Sequence, residues 1–282
     1  MPPVETNALV DTHWLARHRT APDVRIVDAT CVAPAMNRDP LAEYRDAHIP
    51  GAVYFDIDDI ADEASDLPHM VPSAAKFSSK VRKLGLGDGV RIVVYDSNRF
   101  SASARVWWMF RLFGHEDVAV LDGGLGKWRA DGYPVDDLPV TPSERHFTVR
   151  QNNLLYRDLD QIRAHVVNPV EQLIDARSAG RFYGREEEPR AGQRAGHIPQ
   201  SLNLPYTDLI TPDGTLMPAD RLRARFAEAG VDPHKPIATT CGSGVTACTL
   251  ALALFQLGVP DVAVYDGSWT EWGGRGDTPI ET

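Results

Sequence analysis

The stretch with the clearest capacity for chemistry is Cys241-Gly242-Ser243-Gly244-Val245-Thr246-Ala247. It follows residues 236–240, which read as a short buried strand, and runs into the apolar segment 245–257, which reads as a helix. Two glycines let so short a loop curl and turn successive backbone N–H groups inward. The start of the helix adds its positive dipole end at the same point. Sulfur held there is favoured as an anion, either as an attacking thiolate or as a persulfide. The alternative is a structural cysteine buried on a tight turn. The strand–Cys–Gly-x-Gly–helix order favours the nucleophile, because open parallel sheets carry their chemistry at the carboxyl ends of strands. Cys248 falls on the apolar helix and reads as core, and Cys31 reads as structural. No histidine and cysteine cluster has metal-ligand spacing, so neither metal nor cofactor is expected.

A loop of this kind needs a sheet to hold it, and the chain supplies two. Ile26-Val27-Asp28-Ala29 returns as Leu173-Ile174-Asp175-Ala176, and Ala47-His48-Ile49-Pro50 returns as Gly196-His197-Ile198-Pro199. Val118-Ala119-Val120-Leu121-Asp122-Gly123 returns as Val262-Ala263-Val264-Tyr265-Asp266-Gly267, and Trp128 returns as Trp272. The landmarks keep their order and nearly constant spacing, so the chain contains one domain twice. Strands are expected at 24–29, 52–55, 91–95 and 118–121, with helices at 41–47, 73–84 and 101–113. Their counterparts are strands at 172–176, 201–204, 236–240 and 262–265, with helices at 219–229 and 245–257. Short, continuously apolar strands alternating with helices imply an α/β fold, each sheet mostly parallel and covered by helices on both faces. Domains are expected at 1–138 and 155–282, joined by a polar, proline-containing link at 139–154. Aligned at an offset of 145, Asp96 of the first copy stands opposite Cys241 of the second. His48 and His197 occupy one repeat position, which favours a turn-fixing role, and the tryptophans at 107, 108, 128, 269 and 272 read as core.

With 282 residues, 43% apolar and 24% charged, the chain is long enough for two ordinary domains. A formal net charge of −10 argues against nucleic acid and against a polybasic membrane anchor. Met1-Pro2-Pro3-Val4-Glu5 has neither the basic nor the apolar region of a secretory signal, and 245–257 is short for a membrane span. Three cysteines are too few for a disulfide framework. The expectation is a cytoplasmic protein without nucleic-acid or membrane partners.

The residues resemble the two-domain sulfurtransferases of the rhodanese superfamily over nearly the whole chain. Cys241-Gly242-Ser243-Gly244-Val245-Thr246-Ala247 looks like the active-site loop of the 3-mercaptopyruvate enzymes in that family. Thiosulfate enzymes usually carry basic residues after the cysteine, where this chain has Gly242 and Ser243. Further similar stretches are His48-Ile49-Pro50-Gly51-Ala52, His69-Met70-Val71-Pro72, Arg105-Val106-Trp107-Trp108-Met109-Phe110, Leu121-Asp122-Gly123-Gly124 and Asp266-Gly267-Ser268-Trp269. Gln200 departs from the glycine usual after His-Ile-Pro. The resemblance implies two tandem rhodanese-like domains, the first silent with Asp96 at the cysteine position and the second catalytic through Cys241.

The resemblance also assigns roles. Arg181 and Arg190 match substrate-binding arginines, suited to the carboxylate and keto oxygen of a 2-oxo acid. On the residues alone, a solvated charge run is the plainer reading, with Glu186, Glu187 and Glu188 pairing the arginines. Ser243, His69 and Asp58 match a proton relay in which the carboxylate orients the imidazole. Gly242, Gly244, Val245 and Thr246 would cradle the bound sulfur. The implied donor is 3-mercaptopyruvate, and the implied acceptor is thioredoxin, a small thiol or cyanide. Thiosulfate as main donor is the nearest alternative, and a non-catalytic rhodanese-like interaction module a more distant one. A phosphatase would need an arginine near 246–249, where none stands, and Ser243 lacks the G-x-S-x-G elbow of a serine hydrolase.

Overall fold

The computed structural model describes residues 8–32 and 36–282. The opening residues read above for a secretory signal lie outside them. Two compact units divide the chain. The first comprises residues up to Glu63, Val71–Asn152 and Thr211–Leu216; the second comprises Ala64–Met70, Asn153–Ile210 and Met217–Thr282.

In the first unit the elements are β1 (Leu9–Val10), α1 (Thr12–His18), β2 (Val24–Asp28), α2 (Pro40–Asp46), β3 (Ala52–Tyr54), α3 (Ile57–Ile60), α4 (Ala74–Lys83), β4 (Arg91–Tyr95), α5 (Ser103–Leu112), β5 (Val118–Leu121) and α6 (Gly124–Ala130). The second has β6 (Tyr156–Arg157), α7 (Leu159–Val167), β7 (Gln172–Asp175), α8 (Ala179–Phe182), β8 (Leu202–Asn203), α9 (Ala219–Glu228), β9 (Ile237–Thr240), α10 (Ala247–Gln256), β10 (Ala263–Tyr265) and α11 (Ser268–Trp272). Each unit holds a five-stranded sheet, in the orders β1-β5-β4-β2-β3 and β6-β10-β9-β7-β8. All of these strand pairs are parallel, and the two sheets share one topology, as the internal repeat requires.

Local chemistry explains the element ends. Ser73 caps α4 by accepting from the Lys76 amide at 3.2 Å, and Gly85 closes it with φ of +71°, where a Cβ would be strained. Asp158 and Gln161 form a capping box on α7. The central strands β4 and β9 are buried along nearly their whole length. All five repeat-related or paired tryptophans (107, 108, 128, 269 and 272) are buried core.

The histidines of the repeat hold each unit's returning end. His48 meets the Tyr44 carbonyl at 2.7 Å through Nδ1 and pairs by backbone with Asp136. His197 does the same with Phe182 at 2.9 Å and with Glu281. The polar link has no helix or strand between 137 and 152, yet it is packed along the first unit. Arg150 and Asn152 donate to the carbonyls of Phe113 and Leu112, and Phe147 is buried against Phe77. Among the described residues, no helix is long and apolar enough to cross a membrane.

Candidate active site

Cys241 immediately follows β9, at the carboxyl end of a central strand, and is buried at 1% exposure. The start of α11 holds its backbone. The Cys241 amide donates to Ser268 Oγ at 3.2 Å, and Ser268 Oγ donates to the Tyr265 carbonyl at 2.7 Å. The Cys241 carbonyl accepts from the Trp269 amide at 3.0 Å. The Gly242 carbonyl accepts from the Thr270 amide at 2.8 Å and from Thr270 Oγ1 at 2.6 Å. With both peptides fixed from behind, the loop turns through Gly244, at φ of +73°, into α10. Ser243 is half-buried on this turn. Cys248 lies one step inside the helix, fully buried, its thiol toward the Gly244 carbonyl at 3.3 Å.

The first unit shows what such a turn binds. Its Asp96 carbonyl accepts from the Leu125 amide at 3.0 Å, as that of Cys241 does from Trp269, so the two positions are equivalent. The Asp96 side chain, 2% exposed, is turned onto the loop. Oδ1 accepts from the Asn98 amide at 2.9 Å, and Oδ2 accepts from the amides of Ala102 and Ser103 at 3.1 and 2.8 Å. A carboxylate thus fills the start of α5, which is what a helix N-terminus favours. The two loops differ in length beyond that shared position. Residues 97–102 separate Asp96 from α5, but only 242–246 separate Cys241 from α10, so the second loop is one residue tighter. The amides of Thr246 and Ala247 therefore stand where those of Ala102 and Ser103 hold the Asp96 carboxylate.

Arg181 reaches this loop from α8. A Cβ built on Gly242 would lie 3.1 Å from Arg181 Nη2, so glycine is what lets the guanidinium lie against the loop. Arg181 is held from behind by Glu188, through Nη2–Oε2 at 2.5 Å and Nε–Oε2 at 3.2 Å. The other oxygen of Glu188 accepts from Arg177 Nη1 at 2.7 Å. Arg177 bonds Asp175 through Nε and Nη2 and stacks 4.3 Å from the Trp269 ring. The Glu188 side chain is 2% exposed and that of Arg177 0%. The pairing of arginine with glutamate expected of a solvated run exists, but its glutamate is a buried bridge. Glu186 and Glu187 are exposed, and Arg185 lies over the Tyr183 ring.

Arg190 Nη2 lies 3.5 Å from His69 Nε2. His69 is half-buried in an irregular segment of the second unit and adopts φ of +60°. Asp58 belongs to the first unit, exposed on the short helix α3, where its amide donates to Asp56. Of the residues singled out in the sequence, Cys241, Gly242, Ser243, Gly244, Val245 and Thr246 share one loop, Arg181 reaches it from α8, and Arg190 meets His69. Asp175, Arg177, Ser268 and Thr270 carry no role in the sequence reading, and Glu188 stands there only as one of three glutamates able to pair the arginines. The Asp-x-Arg at the end of β7 was a legible signal, since it sets a cation beside a buried strand-end carboxylate.

The arrangement offers a thiol, an amide-lined turn for an anion and a guanidinium braced beside it. A rhodanese-like domain model matches residues 11–131 and again 158–275. The chain belongs to the rhodanese family of sulfurtransferases. The 3-mercaptopyruvate sulfurtransferase of Escherichia coli K12 is 42% identical, over 99% of this chain and 99% of that protein. The bovine thiosulfate sulfurtransferase is 41% identical, over 98% of this chain and 94% of that protein. Among solved structures, the E. coli 3-mercaptopyruvate enzyme SseA superposes with a TM-score of 0.85 at 39% identity, covering 93% of this chain and 99% of that one. The two five-stranded parallel sheets are accordingly two rhodanese folds. Relatives named for either donor match the chain equally well, so the donor must be argued from the rhodanese loop itself.

Proposed function

We propose that this rhodanese-family protein moves sulfur from 3-mercaptopyruvate through a persulfide on Cys241 to a thiol or cyanide acceptor. In the first half-reaction the Cys241 thiolate attacks the donor's sulfur. The S–S bond forms as the C–S bond breaks, and its electron pair leaves on the enolate of pyruvate. The enolate takes a proton at carbon, which Ser243 and His69 deliver with Asp58 orienting the imidazole. The persulfide on Cys241 is cradled by the amides of Gly242, Gly244, Val245 and Thr246. In the second half-reaction an acceptor thiolate or cyanide attacks the outer sulfur and the Cys241 thiolate leaves. The acceptor is thioredoxin, a small thiol or cyanide, and the site of action is the cytoplasm. This is covalent catalysis of ping-pong form. On this reading residues 155–282 carry the nucleophile, and 1–138, the domain with Asp96 in place of a cysteine, contribute His69 and Asp58.

The observation that carries the choice of donor is the guanidinium of Arg181 against Gly242, beside a loop with no basic side chain between Cys241 and α10. A planar fork matches a carboxylate and a keto oxygen, with Arg190 as the second donor. A dianionic sulfur donor instead calls for positive charge next to the cysteine, where Gly242 and Ser243 offer none. Steady-state comparison of the two donors tests this: kcat/KM is expected to favour 3-mercaptopyruvate by at least about tenfold. A preference for thiosulfate would overturn the donor assignment and leave the persulfide step standing.

A further inference from the structure

The first unit contains a cavity of about 350 Å³ at the carboxyl ends of its central strands. Its place is defined by the repeat. Asp28 ends β2 and accepts from the Thr30 amide at 2.9 Å; Asp175 ends β7 and accepts from the Arg177 amide at 2.9 Å. Thr30 therefore stands where the second unit has Arg177. There the guanidinium lies on the Asp175 carboxylate, donates to the Gly196 carbonyl at 2.9 Å and stacks on Trp269. The counterparts of Gly196 and Trp269 are Ala47, which precedes His48, and Leu125, whose amide meets Asp96. Asp28, Thr30, Ala47 and Leu125 all line the cavity. It occupies the volume that the second unit fills with its own guanidinium.

The carboxylate survives although its cation does not. Asp28 is 2% exposed, and among the described residues no arginine or lysine forms an ion pair with it. Its hydrogen bonds come from neutral groups, Thr30 and Tyr95, and burial raises its pKa, which those bonds only partly offset. Arg38, also in the lining, is committed elsewhere, to Glu43 at 2.5 and 2.7 Å and to Ser97 at 2.8 Å. Arg129 and Asp46 are exposed at the lip. The lining carries three carboxylates, those of Asp28, Glu43 and Asp46, against two guanidinium groups. A buried carboxylate flanked by neutral donors and facing a cavity is completed by a cation with planar N–H donors.

We propose that this cavity is a binding site for a small guanidinium-bearing molecule, seated on Asp28 as Arg177 is seated on Asp175. The site is separate from the Cys241 loop and gives the unit that carries no nucleophile a ligand of its own.

The test is calorimetric titration of the full-length protein with agmatine, a guanidinium without a carboxylate, against N-carbamoylputrescine, in which an uncharged urea replaces the guanidinium and the same ammonium is kept. Agmatine should bind saturably at one site, and the urea probe about tenfold more weakly or not at all, as expected when a charge-assisted bond to a carboxylate is lost. Asp28→Asn should weaken agmatine by at least about tenfold. Thr30→Arg supplies the guanidinium from within, so it should abolish agmatine binding and raise Tm; it keeps the test decisive if Asp28→Asn does not fold. No saturable binding of agmatine, equal binding of the two probes, or agmatine binding that survives Thr30→Arg would overturn the proposal.

Discussion

Replacing Glu188 with Gln isolates the brace behind Arg181 with the least change of shape. The wild-type carboxylate makes three charge-assisted contacts, to Arg177 Nη1 at 2.7 Å and to Arg181 Nη2 and Nε at 2.5 and 3.2 Å, from a side chain 2% exposed. Breaking a buried ion pair by neutralising one partner costs about 3–5 kcal/mol. Two features reduce that here. Arg177 keeps its bidentate contact with Asp175, and Arg181, 23% exposed, regains water. Gln also retains one carbonyl acceptor, which serves only one arginine at a time. The expected loss of stability is therefore about 2–3 kcal/mol, read as a lower urea midpoint at unchanged slope. The kinetic effect is separate. Arg181 loses the fork that aims it at Gly242, so kcat/KM for 3-mercaptopyruvate should fall about 10- to 100-fold, mainly through KM, or about 1.4–2.7 kcal/mol. Formation of the persulfide at saturating donor should be much less affected. Wild-type stability together with wild-type KM in Glu188→Gln would refute the linkage from Asp175 to the loop.

Gly242→Ala places a Cβ 3.1 Å from Arg181 Nη2, so the guanidinium must give way. KM for the 2-oxo acid donor should rise by about 3- to 10-fold, with stability changed by less than about 1 kcal/mol, measured by kinetics and urea unfolding. A pH effect is expected at Asp122, which accepts from the Leu216 amide at 2.8 Å. Burial lifts its pKa to about 6 from an ordinary 3.8; the Leu216 bond opposes this and Asp213 adds to it. Because the folded value is raised, the protonated carboxyl favours the fold and ionisation works against it. The contribution is fully present below about 4 and is lost as pH rises through about 6. Relative to Asp122→Asn, the wild type should gain about 2 kcal/mol between pH 7 and pH 4 in urea unfolding, and a difference independent of pH would contradict the assignment.

Much of this architecture was legible in the residues. The repeat and the apolar runs marked out the central strands and the long helices, because parallel strands buried on both faces leave unbroken apolar segments. The edge strands β1 and β6 were not read, since two residues carry no period. Helix α7 shows in the sequence only through its Asp158–Gln161 capping box. At the site, the cysteine loop announced itself through its glycines and its position. Glu188 did not, because a run of three glutamates gives no sign of which one is buried. The tighter second loop shows in the offsets, which drop from 145 between Asp96 and Cys241 to 144 between Asp122 and Asp266, but they do not say where between those landmarks the residue is lost. The assignment of Ala64–Met70 and Thr211–Leu216 to the units they pack with depends on tertiary contacts that sequence order conceals.

The central claim is that Cys241 itself carries the sulfur. Intact mass spectrometry after brief incubation with 3-mercaptopyruvate, followed by peptide mapping, measures it directly. The expected result is a gain of one sulfur atom located on Cys241, lost on adding a thiol or cyanide acceptor and absent from Cys241→Ser, with Cys31 and Cys248 unmodified. No added sulfur on the wild type, or the same gain on Cys241→Ser, would contradict it.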